Sequence, residues 1–202
     1  MADATAPRTQ TERRAATRAA LIGAARPLFA ERGYAHVGTE EIVRAAGVTR
    51  GALYHHFDGK DGLFAAVFEA VEAELLTRIA AQAETAGAAS PLATLHVGMD
   101  AMLDAALDPG LAQIVLIDAP AVLGWEAWRE IGWRYGMGLT ESVLAAAMEA
   151  GELPPRAVRP LAHVLLGALD EATLYVARAE DQQAARADMA DTMSALLDGL
   201  RA

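Results

Sequence analysis

Five large side chains that can donate hydrogen bonds lie within about three helical turns of one another, in the stretch "VTRGALYHHFDGK", residues 48–60. They are Arg50, Tyr54, His55, His56 and Lys60, the only lysine of the chain. The paired histidines raise the alternative of a metal site, but adjacent helical residues diverge by about 100° and no third ligand lies nearby. We therefore predict no metal and no other cofactor, and we expect this stretch to bind a polyanion.

The distribution of charge points to the same part of the chain. The protein has 202 residues and a formal net charge of -10. Residues 1–60 carry a net charge of +3, so the remaining residues carry -13. A small basic head on a large acidic body is expected to bind a polyanion through the head.

Composition limits the classes of protein to be considered. Hydrophobic residues make up 53% of the chain and charged residues 22%, which is typical of a folded protein with a substantial core. There is no cysteine, which excludes disulfides and thiolate metal sites and fits a reducing cytoplasm. The polar N-terminus lacks the apolar core of an export signal, and no apolar run reaches the roughly 18 residues of a membrane span. We expect a cytoplasmic protein without a membrane partner, in which residues 1–10 form a flexible arm.

Helix is predicted throughout, because apolar residues recur at spacings of three and four and no sustained alternation of β-branched residues occurs. Thr39 and Thr49 are each expected to cap a short helix, since a threonine hydroxyl accepts from a free backbone N–H. Two short helices joined by a turn at Gly47 form a helix-turn-helix, whose second helix enters the major groove of DNA. Pro120 and Gly124 are expected to mark turns farther along the chain. The predicted helices are residues 11–32, 40–46, 50–57, 60–85, 91–107, 125–150, 156–179 and 181–200, with a further segment from residue 111.

The helical wheel divides the predicted recognition helix into two faces. Leu53 and Phe57 lie almost above each other, because residues four apart share a face, and we expect them to pack on the first helix against Phe29 and Ile42. His55 points to the opposite side, flanked by Gly51 and Ala52. Arg50 lies in the first turn, from which a guanidinium reaches base edges and pairs bidentately with guanine.

Residues 17–67 resemble the DNA-binding region of the TetR-type (tetracycline-repressor-like) transcriptional regulators. The resemblance is carried by Ala25 and Phe29, Gly33-Tyr34, Thr39 with Ile42, Ala46-Gly47-Val48, "GALYHHF", Lys60 and Leu63. It implies an all-α fold, with a helix-turn-helix domain at residues 11–60 and a ligand-binding and dimerisation domain at residues 61–202. It also implies a homodimer that binds double-stranded DNA at a palindromic operator and that a small-molecule effector releases.

Carried over position by position, the resemblance assigns phosphate contacts to Thr39, Tyr54, His55 and Lys60, and base contacts to Arg50 and Gly51. His56 lies at the edge of the same interface. The Asp58-Gly59 pair departs from the Ser or Asn cap of many relatives, which leaves the start of the fourth helix uncertain. The predicted DNA-binding residues are Thr39, Arg50, Gly51, Ala52, Tyr54, His55, His56 and Lys60.

The effector site is predicted from polar or flexible residues within apolar stretches, because a buried polar group needs a partner that a ligand can supply. Trp125 and Trp128 share a helix face whereas Trp133 does not, so the three cannot all line one wall. For each polar candidate, a structural hydrogen bond or a dimer contact is the alternative. The candidates are His96, Met99, Met102, Trp125, Trp128, Met148, His163, Asp170, Glu171 and Tyr175.

The last two long helices carry apolar stripes, which by the resemblance meet their symmetry mates in a four-helix bundle. A stripe packs equally well inside one subunit, so the pattern alone does not establish an interface. The predicted interface residues are Leu161, Val164, Leu165, Ala168, Ala172, Met189, Met193, Leu196, Leu197 and Leu200.

Two other functions are considered. An enzyme is disfavoured because the sequence has no nucleophile elbow, phosphate loop or metal-ligand spacing. A regulator that needs no effector, or that activates transcription, is the remaining alternative to a ligand-released repressor.

Overall fold

A computed structural model describes residues 9–201, in which every regular element is helical. The predicted all-α fold is therefore confirmed. The ten α-helices of these residues are α1 (Gln10–Arg32), α2 (Thr39–Ala45), α3 (Arg50–His56), α4 (Gly59–Thr85), α5 (Pro91–Ala105), α6 (Pro109–Ala112), α7 (Ala119–Leu123), α8 (Trp125–Glu149), α9 (Val158–Arg178) and α10 (Gln182–Asp198). A π-helical segment, Gln113–Asp118, joins α6 to α7.

The start of the chain differs from the prediction. Thr9 caps α1 with a capping box, in which its hydroxyl accepts from the Glu12 amide and the Glu12 carboxylate accepts from the Thr9 amide. Such a cap stabilises a helix by about 1 kcal/mol. Residues 9 and 10 of the predicted arm therefore belong to α1 and its cap, and residues 1–8 lie outside the described part of the chain.

The first three helices pack around an aromatic centre that also holds the start of α4. Phe29 of α1 contacts Phe64 of α4 edge to face, with ring centroids 5.2 Å apart, and Tyr34 lies 5.2 Å from Phe64. Leu53 of α3 and Ile42 of α2 are fully buried in the same core. Phe64 therefore joins the long helix α4 to the core of the head.

The C-terminal helices form the body, in which α4, α5, α8, α9 and α10 pack against one another. A second core lies at the far end, around Leu92, Leu144 and Leu197. Pro120 marks no turn, contrary to the prediction: it lies in the first turn of α7, where the missing proline N–H breaks no helical bond. Gly124 does end this segment, with φ of 81°.

No single helix within residues 9–201 is both long and apolar enough to cross a membrane. The pair Pro91–Ala105 and Pro109–Leu123 reaches that length and apolarity only together, across a bend of 87°.

Candidate DNA-binding surface and ligand cavity

The recognition helix α3 is held by a side-chain cap and by its two apolar residues. The Thr49 hydroxyl accepts from the Ala52 amide at 3.3 Å, as predicted. Leu53 and Phe57 are buried, whereas Gly51, Tyr54 and His55 are exposed on the other side. The division of α3 into an inner and an outer face is therefore confirmed.

Arg50 projects from the first turn of α3 into solvent. Its Nη1 donates to Glu40 Oε1 of α2 at 2.9 Å, and its guanidinium lies 5.6 Å from the ring centroid of Tyr54. Both members of the ion pair are mostly exposed. The ion pair holds the guanidinium beside the outer face of α3, and a strong anion is able to displace a carboxylate in so weak a pair.

Thr39 and Lys60 differ in part from their predicted roles. Thr39 is the first residue of α2 rather than its cap; Gly38 occupies the cap position and supplies no side-chain bond. Lys60 donates to the carbonyl oxygens of Tyr34 and Val37 at 3.0 and 3.1 Å, with its ammonium 3.8 Å from the Tyr34 ring centroid. Lys60 thus joins α4 to the loop before α2, in addition to any contact with DNA.

The two histidines are not arranged as a metal site. Their ring centroids are 5.3 Å apart in an edge-to-face contact. Burial, followed by the charges of His55, Arg14 and Arg18, lowers the pKa of His56. Within residues 9–201, no three histidine, cysteine or carboxylate side chains are placed to hold a metal ion together.

A cavity of about 350 Å³ lies in the body, enclosed by α4, α5, α8, α9 and the π-helical segment. Four of the predicted effector residues line it: Met99, Met102, Trp128 and Asp170. A volume of this size is at the lower end of the range for small-molecule sites. The cavity is thus where a ligand would be enclosed by the body.

Three predicted effector residues lie elsewhere within the body. His96 lines a separate cleft, where its ring nitrogens are 3.4 Å from Ser194 Oγ and 3.5 Å from an Asp198 carboxylate oxygen. Met148 packs on the second core. Trp125 is 52% exposed and packs against Trp128 with tilted rings whose centroids are 4.8 Å apart, so the shared face is confirmed but only Trp128 reaches the cavity.

The other three predicted effector residues that do not line the cavity belong to α9 and are exposed. His163 is exposed and packs against Trp133, with ring centroids 4.2 Å apart. Glu171 and Tyr175 are exposed as well. None of the three lines the cavity, which Asp170 and Thr173 of the same helix do line, so the cavity gives their predicted effector role no support.

The cavity instead contains polar residues that the sequence analysis did not select: Glu72 of α4, and Arg129 and Trp133 of α8. Glu72 is largely buried, and its burial, followed by the charge of Asp170, raises its pKa to about 7. Burial likewise raises the pKa of Asp170 to about 6, against the opposing effects of Arg129 and the Trp133 indole N–H. That indole N–H has no acceptor in regular hydrogen-bond geometry within the described chain, although it lies close enough to act on Asp170.

Comparison with known proteins decides the family. Residues 92–200 match the family described as Tetracyclin repressor-like, C-terminal domain, and residues 21–67 match Bacterial regulatory proteins, tetR family. The crystal structure of a TetR-family transcriptional regulator from Pectobacterium atrosepticum is similar at 35% identity and a TM-score of 0.83, over 96% of this chain and 97% of that one. The chain belongs to the TetR family.

Two further relatives support this assignment for the TetR-family chain. The Transposon Tn10 TetC protein of Escherichia coli is 27% identical over 144 residues, which are 71% of this chain and 72% of that protein. The HTH-type transcriptional regulator CymR of Pseudomonas putida is 47% identical over 62 residues, 31% of this chain and 30% of its own. The protein is a DNA-binding transcriptional regulator, and family and fold indicate a regulator rather than an enzyme.

The apolar stripes of this TetR-family regulator divide between its interior and its surface. Ala172, Met193 and Leu197 are buried within the subunit and do not fit the predicted interface, whereas Leu165 is only partly buried and also lines the cavity. Burial by the subunit's own helices leaves no surface for a partner to cover. Four others are partly buried against the subunit's own cores: Leu161, Ala168, Met189 and Leu200.

Large apolar side chains do remain on the outer surface of the last two helices. Val164 is 65% exposed and Tyr175 53% exposed on α9, and Leu196 of α10 is 55% exposed. Of these, Val164 and Leu196 belong to the predicted interface, whereas Tyr175 was assigned to the effector site. Exposure in one subunit is the condition that an interface residue of a TetR-family dimer must meet.

Proposed function

We propose that this TetR-family regulator is a homodimeric repressor that binds a palindromic operator and leaves it when a small molecule enters the cavity. It needs no metal or other cofactor for this and acts in the cytoplasm. The proposal depends chiefly on one observation: the π-helical segment contributes both to the cavity wall and to the contact with the DNA-binding head. A regulator without an effector is not favoured, because an enclosed cavity joined to the head would then have no role.

The two sides of the π-helical segment carry different contacts. Val115 and Leu116 line the cavity. Asp118 Oδ2 accepts from the Tyr34 amide of the head at 2.7 Å. Gly33, with φ of 74°, packs so closely on Gln113 that an added Cβ would lie 3.1 Å from Gln113 Nε2. A ligand that displaces Val115 or Leu116 therefore acts directly on the residues that orient α1 and the head.

A ligand changes the operator affinity only if it binds the two conformations of the protein with different affinities. The DNA-bound dimer requires the two α3 helices to match successive half-sites, about one helical turn or a multiple apart. The ligand-bound conformation changes this spacing through α1, the π-helical segment and α4. The same linkage requires that operator DNA weaken the binding of the ligand.

On the operator, Arg50 contacts bases, and Gly51 and Ala52 allow the backbone of α3 to approach them. Tyr54, His55, Lys60 and Thr39 contact phosphates, with His56 at the edge. This assignment is supported by the exposure of Arg50, Tyr54 and His55 on one side of α3. Phosphate contacts position the helix and base contacts select the sequence.

The dimer forms through α9 and α10, with Val164, Tyr175 and Leu196 at its centre. We expect Val164→Asp to dissociate the dimer, because it places two carboxylates near a two-fold axis. Tyr54→Asp is the matched control, since it introduces the same charge at an exposed side chain of the head. In sedimentation analysis Val164→Asp should be a monomer that binds no operator, whereas Tyr54→Asp should be a dimer that binds none. A dimeric Val164→Asp would show that the interface lies elsewhere.

Selection of operator DNA from genomic fragments with the purified protein tests the central proposal. A palindromic site is expected, and a metabolite that raises the melting temperature of the protein should release that site. A selected site without two-fold symmetry, or ligands that stabilise the protein and leave the operator bound, would contradict it.

A further inference from the structure

The ligand cavity contains two carboxyl groups that the protein leaves without bonded partners. Glu72 makes no hydrogen bond and no ion pair within 4.0 Å to any other residue of the described range 9–201, and the cavity is what its remaining accessible surface faces. Asp170 is acted on by Arg129 and by the Trp133 indole N–H, but it forms no ion pair within 4.0 Å and no regular hydrogen bond there either. Burying a carboxylate without hydrogen-bond donors costs free energy. A ligand that supplies donors to these carboxylates therefore recovers that free energy when it binds.

Arg129 does not pair with Glu72. Its guanidinium lies 4.2 Å from the Trp133 ring centroid and 5.3 Å from that of the exposed Trp125, and it borders the cavity on the Asp170 side. Arg129 acts on Asp170, but the charge that acts on Glu72 is the like charge of Asp170. The Glu72 end of the cavity therefore has no compensating cation.

The remainder of the wall is apolar and partly aromatic. Trp128, Trp133 and Tyr135 contribute rings, and leucine, isoleucine and methionine side chains contribute most of the other surface. Aromatic faces attract cations and repel anions, and two carboxyl groups act in the same direction. An anionic group at the Glu72 end of the cavity would lie beside a like charge with no neighbouring cation.

We infer that the ligand of this cavity is an apolar organic cation, whose ammonium or amidinium group pairs with Glu72 and Asp170 while its body fills the aromatic cavity. This inference rests on the proposed function, because it names the chemical class of the molecule that releases the operator. The pKa of Glu72 supports it: with a value of about 7, Glu72 is partly protonated at neutral pH, and a bound cation expels that proton.

Three probes of one skeleton test the inference: 4-phenylbutylamine, 4-phenylbutan-1-ol and 4-phenylbutyrate, titrated calorimetrically into the full-length dimer at pH 8. The amine is a cation at this pH, since alkylammonium groups have a pKa near 10. We expect it to bind at least about tenfold more tightly than the alcohol, with the acid the weakest. At pH 7, titrations in buffers of different ionisation enthalpy should show proton release for the amine alone.

Glu72→Gln should remove most of the preference for the amine and leave the affinity for the alcohol unchanged. This variant is expected to fold, because it replaces an enclosed carboxyl with a neutral group of the same shape. Glu126→Gln is the matched control: it makes the same change at an exposed carboxylate of α8 that does not line the cavity, and should bind all three probes as the wild type does.

Three results would overturn the inference: the alcohol or the acid binding as tightly as the amine, none of the probes binding at about 1 mM, or Glu72→Gln keeping the preference for the amine. An operator-release assay with the same probes separates this failure from that of the proposed function. If the alcohol or the acid releases the operator, the repressor function is retained and only the class of ligand is wrong. If probes bind in the cavity and the operator stays bound, the proposed release mechanism is wrong.

Discussion

The outer face of the recognition helix and the cavity of the body are built from the same kinds of side chain, with opposite exposure. In the head, the Arg50 guanidinium lies over Tyr54 and pairs with Glu40 in solvent. In the body, the Arg129 guanidinium lies over Trp133 while the neighbouring carboxyl groups, Glu72 and Asp170, are enclosed without bonded partners. An exposed charge is already solvated and adds little to stability, whereas an enclosed charge costs stability until a ligand pairs with it.

The largest expected effect is on stability, and it comes from the cavity. The pKa of Glu72 is raised from 4.5 to about 7, so the folded state disfavours the ionised form and loses stability as pH rises between these values. Glu72→Gln should therefore have a free energy of unfolding about 3 kcal/mol higher than the wild type at pH 8, and a similar one at pH 4. Chemical denaturation across this pH range measures the difference. A gap that does not depend on pH would mean that Glu72 does not titrate as an enclosed group.

In the head, a substitution should change DNA binding and leave stability unchanged. Arg50→Ala is expected to weaken operator binding by roughly ten- to a hundredfold and to relax the sequence preference, because a bidentate base contact is lost. Its stability should match that of the wild type, since the pair with Glu40 is exposed. Mobility shifts with the selected operator and with point variants of it measure both effects. Glu40→Gln is the control, because it frees Arg50 without removing it, and its operator affinity should not fall.

Lys60 belongs to both sides of this comparison, since we expect it to affect both the stability of the protein and its binding to DNA. Lys60→Met loses the bonds to the carbonyl oxygens of Tyr34 and Val37, so the free energy of unfolding should fall by about 1–2 kcal/mol. Loss of a phosphate contact should also weaken binding to every DNA sequence and reduce the salt slope by about one. Unchanged stability would show that the two carbonyl bonds contribute nothing, and an unchanged salt slope would leave Lys60 with a structural role only.

The smallest effect is expected at the junction between the two regions. Asp118→Ala removes the acceptor of the Tyr34 amide, so the ligand's effect on operator affinity should shrink by about fivefold, or about 1 kcal/mol of coupling. Ile117→Ala is the control, because Ile117 lies next to Asp118 but is 48% exposed. Operator titrations with and without the effector measure the coupling. Equal coupling in the wild type and in Asp118→Ala would exclude this hydrogen bond as the route.

The exposed face of the head could be predicted from sequence because it is formed by a single helix, α3. The spacing of Leu53 and Phe57 fixes which side of α3 is buried, and the structure confirms the division. The N-cap of α2 was predicted one residue too late, at Thr39. Gly38 is the N-cap, and a glycine forms no side-chain bond that would mark this position in the sequence. Local pattern thus predicted the exposed surface and erred only at a helix end.

The cavity could not be predicted in this way, because its residues come from helices far apart in the sequence. Glu72 lies within "AVFEAVEAELL" among other acidic residues, and nothing local distinguishes its enclosed carboxylate from the exposed Glu74. His163, Glu171 and Tyr175 lie in the same apolar helix as Asp170 but point outward. A wheel drawn with Asp170 and Thr173 on the inner face separates Glu171 and Tyr175, but it places His163 on the same side as Asp170, so only the packing of α9 shows that His163 is exposed.

The π-helical segment Gln113–Asp118 fixes an angle as well as a contact. A π-helical turn holds one residue more than an α-helical turn, so deletion of one residue here would restore α-helical geometry. If Ile117 were deleted, the following residues of this helix, as far as Leu123, would rotate by about 100° around the helix axis. Asp118 would turn away from Tyr34, while Val115, before the deletion, would stay at the cavity. Insertions and deletions in this segment would therefore retune the response to a ligand and leave the ability to bind one intact.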